Sequence, residues 1–297
     1  MAYTVGVDIG AVATKVVIVS DGRVLGSRIL PTGIDGNAAA KRGLKKLFAE
    51  TSLSPSDVAF AVSTGYGRRV YSGANKAVTE ITAHAEGARH FCPEARTIID
   101  IGGQDSKAIS LNGDGGVANF IMNDKCAAGT GRFLEVMSRA LRVKVSGLGD
   151  LALQSAQPAK INSTCTVFSE SEVISLLTNG RDRRDIAAGL CESISKRVST
   201  LARYVGVRDV VVFSGGVAKN VGMVAALEKD LKVKMFIPPE PQIVGAVGAA
   251  VIAERLFKGE RGSAGVVPSE AAPKRMEAEA CDAPSCSVVS TNASLVS

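Results

Sequence analysis

Tryptophan is absent from this sequence, histidine occurs twice, and aromatic residues fill only 4% of its 297 positions. Two histidines, His84 and His90, nearly exclude imidazole-based metal sites and triads by inventory. No apolar run reaches the roughly 20 residues that span a bilayer. Met1 leads straight into a strand-like segment instead of a signal peptide. A cytoplasmic protein without membrane contact is therefore expected. Blocks of Lys and Arg interleaved with aromatics are also missing. The 35 basic and 29 acidic residues leave a mild +6, and Lys41, Arg42, Lys45 and Lys46 fall on a helical pattern as a solvated face. Nucleic-acid binding is not expected. The G-x-x-x-x-G-K-[ST] pattern is missing, which excludes a Walker A loop.

Cysteine is sparse in a different sense. Six are present (Cys92, Cys126, Cys165, Cys191, Cys281, Cys286), but no C-x₂-C spacing occurs between residues 97 and 258. One chain thus offers no obvious four-thiolate site. In a cytoplasmic setting these are reduced thiols or metal ligands, not disulfides.

Against these absences stands a chain that is 46% hydrophobic, rich in Ala, Val and Gly, and long enough for two domains with their own cores. Tyr3–Ile9, Lys15–Ser20 and Arg23–Leu30 read as a β-meander, with Asp21-Gly22 as a hairpin turn. A helical pattern follows at about Asn37–Glu50, a strand at Val58–Ser63, then helical sequence through Ala74–Arg89. The order begins again with strands at Thr97–Ile101, Ser106–Leu111 and Val117–Met122. Helices are expected at Gly131–Leu141, Phe168–Leu177 and Arg183–Val205, a strand at Val210–Phe213, a helix from Val217, a strand at Lys234–Ile237 and a helix at about Val244–Lys258. A duplicated α/β unit with a cleft between copies is the economical reading. It places one domain at 1–96 and a second at 97–258, the final helix packing back on the first. Beyond Gly259 the composition turns to Gly, Ser, Ala, Pro and Glu, which reads as a disordered tail.

Each meander carries an acidic glycine loop. Asp8-Ile9-Gly10-Ala11-Val12-Ala13-Thr14-Lys15 sets a carboxylate at a strand end, then a glycine that permits a tight turn and exposes backbone N–H groups to phosphate. Asp8 is a candidate for Mg²⁺ through water, Lys15 for a point charge, and Gly10 and Thr14 for phosphate contact. Asp100-Ile101-Gly102-Gly103-Gln104-Asp105-Ser106-Lys107 repeats the design. One D-x-G is weak; two copies in a repeated strand order are strong. A third element, Ser214-Gly215-Gly216-Val217-Ala218-Lys219-Asn220, joins a buried strand to a helix. Alone it is an ordinary turn; after two phosphate loops, its Gly215, Gly216, Val217 and Asn220 complete a nucleotide cleft.

At this point the pattern resembles the acetate and sugar kinase, heat-shock chaperone and actin superfamily over about Tyr3–Lys258. That implies two ribonuclease H-like (actin-like ATPase) domains. Asn123-Asp124-Lys125-Cys126-Ala127-Ala128-Gly129-Thr130-Gly131-Arg132-Phe133, the stretch from Ser163 to Ile174 around Cys165, and Ser63-Thr64-Gly65-Tyr66-Gly67-Arg68 resemble a narrower family. This is the ATP-dependent activator (component A) of 2-hydroxyacyl-CoA dehydratases, related to the ATPase subunits of benzoyl-CoA reductase. The resemblance implies ATP/ADP and Mg²⁺ binding and ATP hydrolysis. It also implies a homodimer sharing one [4Fe-4S] cluster, a ferredoxin or flavodoxin donor, and a dehydratase that receives the electron. Gln104 is assigned to orienting the attacking water and Asp105 to Mg²⁺. One departure is that the activators usually carry hydroxyl residues where this chain has Ala11 and Val12.

Cys126 and Cys165 both precede helical segments, where the positive end of a helix macrodipole stabilises a thiolate. Two such cysteines from each of two chains match the stoichiometry of one cluster. Cys191, inside an apolar helical pattern, and Cys92, before Pro93, read as packing, and Cys281 and Cys286 lie in the tail. His84 and His90 read as packing or solvated residues. Glu80 and Glu86 lie where the chain crosses between domains, within reach of a nucleotide or on a solvated face. The rivals are a benzoyl-CoA-type ATPase subunit, a sugar or small-acid kinase with no use for Cys126 and Cys165, and a non-catalytic nucleotide switch.

Overall fold

A computed structural model describes residues 2–162 and 165–259. The expected tail, with Cys281 and Cys286, lies outside the described residues past Gly259, as do Ser163 and Thr164. The first meander is β1 (Tyr3–Ile9), β2 (Ala13–Ser20) and β3 (Arg23–Pro31), antiparallel throughout. Helix α1 (Gly36–Thr51) follows, its first turn capped by Asp35 Oδ1 accepting from the Ala38 N–H at 3.0 Å. Then β4 (Val58–Thr64) pairs parallel to β1, and the two-residue β5 (Lys76–Ala77) extends the edge. The sheet order is β3-β2-β1-β4-β5. The helix expected from Ala74 begins only at α2 (Glu80–Phe91), because Thr79 caps it and Lys76–Ala77 is drawn into the sheet.

The second sheet repeats this plan. Its meander is β6 (Thr97–Ile101), β7 (Ser106–Leu111) and β8 (Val117–Asn123). The helices α3 (Gly131–Ala140), α4 (Leu148–Leu153), α5 (Thr166–Thr178) and α6 (Arg183–Val205) come before β9 (Val211–Ser214), which is parallel to β6. Helix α7 (Val221–Leu231), β10 (Met235–Phe236) and α8 (Val244–Phe257) follow, and the sheet order is β10-β9-β6-β7-β8. Among the described residues no helix is long and apolar enough to cross a membrane.

The central strands are apolar on both faces because both faces are covered. In β2, Val16 and Ile18 pack with Leu44 and Leu47 of α1, while Val17 and Val19 pack with Ala246, Val247 and Ala250 of α8. The last helix among the described residues therefore covers the first sheet. Conversely α2, which precedes the second meander, places Ile81, Ala85 and Ala88 against Ile98, Ile109 and Val212 of the second sheet. The two helices are exchanged, and they cross in direct backbone contact. A Cβ on Gly248 would lie 1.8 Å from the Ala83 carbonyl oxygen, and one on Gly87 would lie 1.9 Å from that of Val244. Only glycine permits this approach.

Candidate functional site

The two acidic loops are the same hairpin built twice. In the first, Asp8 pairs with Lys15 across the strands, and the Gly10 N–H donates to the Ala13 carbonyl at 3.1 Å. In the second, Asp100 pairs with Lys107, and the Gly102 N–H donates to the Asp105 carbonyl at 2.9 Å. Each lysine reaches back across the strands to its own carboxylate: Lys15 Nζ to Asp8 Oδ2 is 2.9 Å, and Lys107 Nζ to Asp100 Oδ2 is 3.2 Å. The hairpins face each other across a cavity of about 570 Å³.

Asp8, Gly10, Lys15, Gly102, Gly103, Gln104, Asp105, Gly215, Gly216, Val217 and Asn220 all line that cavity. Thr14 does not. It is fully buried, and its hydroxyl lies 2.9 Å from that of Thr32, whose hydroxyl donates to the Gly10 carbonyl at 2.7 Å. Thr14 thus shapes the first loop from behind, because alternation along β2 turns it away from the side that Lys15 occupies. Asn220 caps α7 through Oδ1, while its Nδ2 is buried and has no hydrogen-bond partner among the described residues. A free donor on the cavity wall suits a ligand with acceptor atoms.

The second hairpin carries a buried charge network that sequence reasoning missed. Lys107, almost fully buried, contacts Asp100, Asp105 and Glu80, the last at 3.1 Å. Burial alone would lower the Lys107 pKa, but Asp100 and the other two carboxylates hold it well above the ordinary lysine value. Burial likewise opposes ionisation of Asp100, yet His84 and Lys107 keep its pKa well below the usual carboxylate range. His84, read from sequence as packing or solvated, belongs to this network. Its Nε2 lies 3.2 Å from Asp100 Oδ1, and its Nδ1 lies 2.8 Å from the Glu80 carbonyl. Both partners are acceptors, an arrangement that favours the doubly protonated ring. Burial depresses its pKa, and Asp100 more than restores it, leaving it raised. Ser214 donates to Asp100 Oδ1 at 2.8 Å. The signal available in the sequence was that Asp100 and Lys107 repeat Asp8 and Lys15. Nothing local placed His84 beside them. Of the two crossing-segment acids, Glu80 reaches the cavity and Glu86 does not. Glu86 pairs with Arg255 of α8 at 2.7 Å.

The four described cysteines divide cleanly. Cys92 and Cys191 are buried, and burial pushes the Cys191 thiol up to about 12. Cys126 is half-buried and Cys165 exposed. Cys165 is the N-cap residue of α5, as its position before a helical segment implied. Cys126 is not at a helix start. Helix α3 begins at Gly131, and the Gly131 and Arg132 N–H groups donate to the Gly102 and Gly103 carbonyls, each at 2.8 Å. Among the described residues no three His, Cys, Asp or Glu side chains gather as a metal site. The two accessible thiols among the described residues fit half of a four-thiolate cluster and not a whole one.

Comparison with known proteins agrees with this architecture. Residues 5–253 match the profile of the BadF/BadG/BcrA/BcrD ATPase family. The chain is 47% identical over 252 residues to the 2-hydroxyisocaproyl-CoA dehydratase activator of Clostridioides difficile, covering 84% of this chain and 94% of that one. It is 45% identical over 252 residues to the (R)-2-hydroxyglutaryl-CoA dehydratase activating ATPase of Acidaminococcus fermentans, covering 84% and 96%. The solved structure of the activator of the 2-hydroxyisocaproyl-CoA dehydratase from Clostridium difficile with bound ADPNP superposes with a TM-score of 0.83 at 46% identity, covering 86% of this chain and 96% of that one. The fold is α/β, with two similar domains of the actin-like ATPase type.

Proposed function

Since the chain belongs to the BadF/BadG/BcrA/BcrD ATPase family, we propose that it is the ATP-dependent electron-transfer activator of a 2-hydroxyacyl-CoA dehydratase. The reading rests chiefly on one observation: two Asp–Lys hairpins with the same strand pairing face each other across one cavity. It divides the chain into units at about 1–96 and 97–258, with α2 and α8 exchanged between them.

ATP phosphates lie between the hairpins. The Gly10 and Gly102 N–H groups close the hairpins, so the loop backbone beyond them, at Gly103 among others, supplies the N–H donors, and Lys15 supplies a fixed positive charge. Asp8 and Asp105 would hold Mg²⁺, and Gln104 would orient the attacking water. The metal ion, when bound, neutralises charge on the phosphoryl group in transfer. Gly215, Gly216 and Val217 give a flat backbone approach to the nucleoside, and Asn220 Nδ2 donates to it. Cys126 and Cys165 of two chains would hold one [4Fe-4S] cluster in a homodimer. The cluster, when bound, supplies one-electron chemistry between a ferredoxin or flavodoxin donor and the dehydratase. This chain's own work is to bind, orient and exclude water around the phosphates and to set the position of the thiolates.

Iron and acid-labile sulfide in anaerobically purified protein, measured beside ATP turnover, test the reading. About four irons per dimer are expected, lost in Cys126→Ser and Cys165→Ser and kept in Cys191→Ser. Asp8→Ala is expected to lower ATP turnover by about two or more orders of magnitude with iron retained. Iron-free wild-type protein, or full ATP turnover in Asp8→Ala, would overturn it.

A further inference from the structure

The loop that carries Cys126 is fastened to the second phosphate hairpin at both of its ends. At one end Asn123, the last residue of β8, is paired across the strands with Ser106, the residue after Asp105. At the other end the first two N–H groups of α3, at Gly131 and Arg132, donate to the carbonyls of Gly102 and Gly103. Residues 124–130 therefore span between two points of the hairpin that faces the nucleotide cavity.

Inside this span one side chain organises the backbone around the cysteine. Asn123 Nδ2 donates to the Cys126 carbonyl at 3.0 Å and to the Ala128 carbonyl at 3.1 Å. Its Oδ1 accepts from the Cys126 N–H at 3.3 Å. One carboxamide thus uses its donors and its acceptor on a three-residue stretch that begins at the cysteine. Thr130 closes the remainder, its N–H and hydroxyl both donating to the Ala127 carbonyl, at 3.1 and 2.7 Å. Cys165, by contrast, lies on a separate segment at the start of α5.

We infer that Asn123 is the positioning residue that makes Cys126 move with the second phosphate hairpin, so that the nucleotide state is delivered to this thiol and not to Cys165. The inference rests on the ATPase and cysteine assignments proposed above. When the hairpin shifts against phosphate, either α3 and Cys126 travel with it or the two backbone hydrogen bonds at Gly102 and Gly103 break. A cage satisfied on both its donor and acceptor sides favours motion as one piece. Asn123 does not line the cavity and acts only through the loop it holds.

The test uses the full-length chain without cluster, and its readout is the rate at which iodoacetamide alkylates each cysteine, resolved by peptide mass spectrometry. With saturating ADP or a non-hydrolysable ATP analogue, the Cys126 rate should differ between the two nucleotides by about fivefold or more. The Cys165 rate should not. Asn123→Asp keeps the acceptor for the Cys126 N–H and loses both donors. It should bring the Cys126 ratio close to one while leaving the Cys165 rate and ATP turnover unchanged. Asn123→Ala should do the same, and stabilisation by ADP in thermal melts establishes that each variant is folded. A Cys126 rate indifferent to nucleotide in the wild type overturns the inference. So does a nucleotide-dependent Cys126 rate that survives in whichever Asn123 variant still binds ADP. Either result leaves the iron and ATP-turnover tests of the proposed function untouched, so the two failures are distinguishable.

Discussion

Replacing Lys107 by Met should be among the most costly single changes that leave the chain's hydrophobic packing intact. The ammonium group is only 2% exposed and contacts three carboxylates, those of Asp100, Asp105 and Glu80. With His84 protonated, that cluster carries one net negative charge; without Lys107 it carries two. At the 3.2 Å separation of Lys107 from Asp100, the bare attraction at an effective dielectric near 20 is about 5 kcal/mol. Desolvation of both groups offsets much of it in the intact protein. Removing only one partner exposes the other's uncompensated burial, and such losses run at about 3–5 kcal/mol. For a protein of this size that corresponds to a fall in Tm of roughly 6–20 °C. The Lys107 pKa is raised above its ordinary value, so its contribution is complete at every pH below about 10.4. The Asp100 pKa is depressed, so its share is present above about pH 3.9 and fades as pH falls through the depressed value. Thermal melts at neutral pH of Lys107→Met, Asp100→Asn and the double variant measure the coupling. The double variant should be more stable than the sum of the two losses, by about 1–3 kcal/mol. A Lys107→Met protein within about 1 kcal/mol of wild type, or strict additivity, would refute the reasoning from buried charge.

Two further outcomes follow from the same geometry. In Gly248→Ala the new methyl group would meet the Ala83 carbonyl oxygen at 1.8 Å and the Gly87 nitrogen at 2.6 Å. A loss of about 1–3 kcal/mol or more is expected in urea unfolding, with a raised KM for ATP because α2 and α8 brace both sheets. An unchanged midpoint would mean that the helices separate freely. In His84→Gln the stabilising ion pair with Asp100 is lost. Because the His84 pKa is raised on folding, the deficit relative to wild type should be fully present below about pH 6.5 and shrink as pH rises through the raised value. Stability curves across that range check it, and a deficit that grows with pH would assign the wrong charge to the ring.

Much of the fold was legible from local pattern. Strands such as Thr97–Ile101 and Ser106–Leu111, and the helix Arg183–Val205, lie where alternation, turn residues and apolar periodicity placed them. The duplicated Asp-x-Gly hairpin was legible too, since a carboxylate, a glycine and a lysine at fixed offsets across a two-stranded turn are set by strand pairing alone. Of the cavity, the glycines, Asp8, Lys15, Gln104, Asp105 and Asn220 follow from those offsets. Thr14 shares the loop but not the cavity, because β2 turns it toward Thr32. Cys126 precedes a helix by sequence count, yet α3 spends its first N–H groups on the second Asp–Lys hairpin instead. His84 became part of the site only because α2 crosses to the second sheet and brings its ring against Asp100. Sequence by itself determined the two hairpins and the elements around them, whose causes lie within a few residues. Tertiary structure alone decided which helix covers which sheet, and with it which buried charges meet. Those contacts join residues far apart in the chain, and no local periodicity encodes their partner.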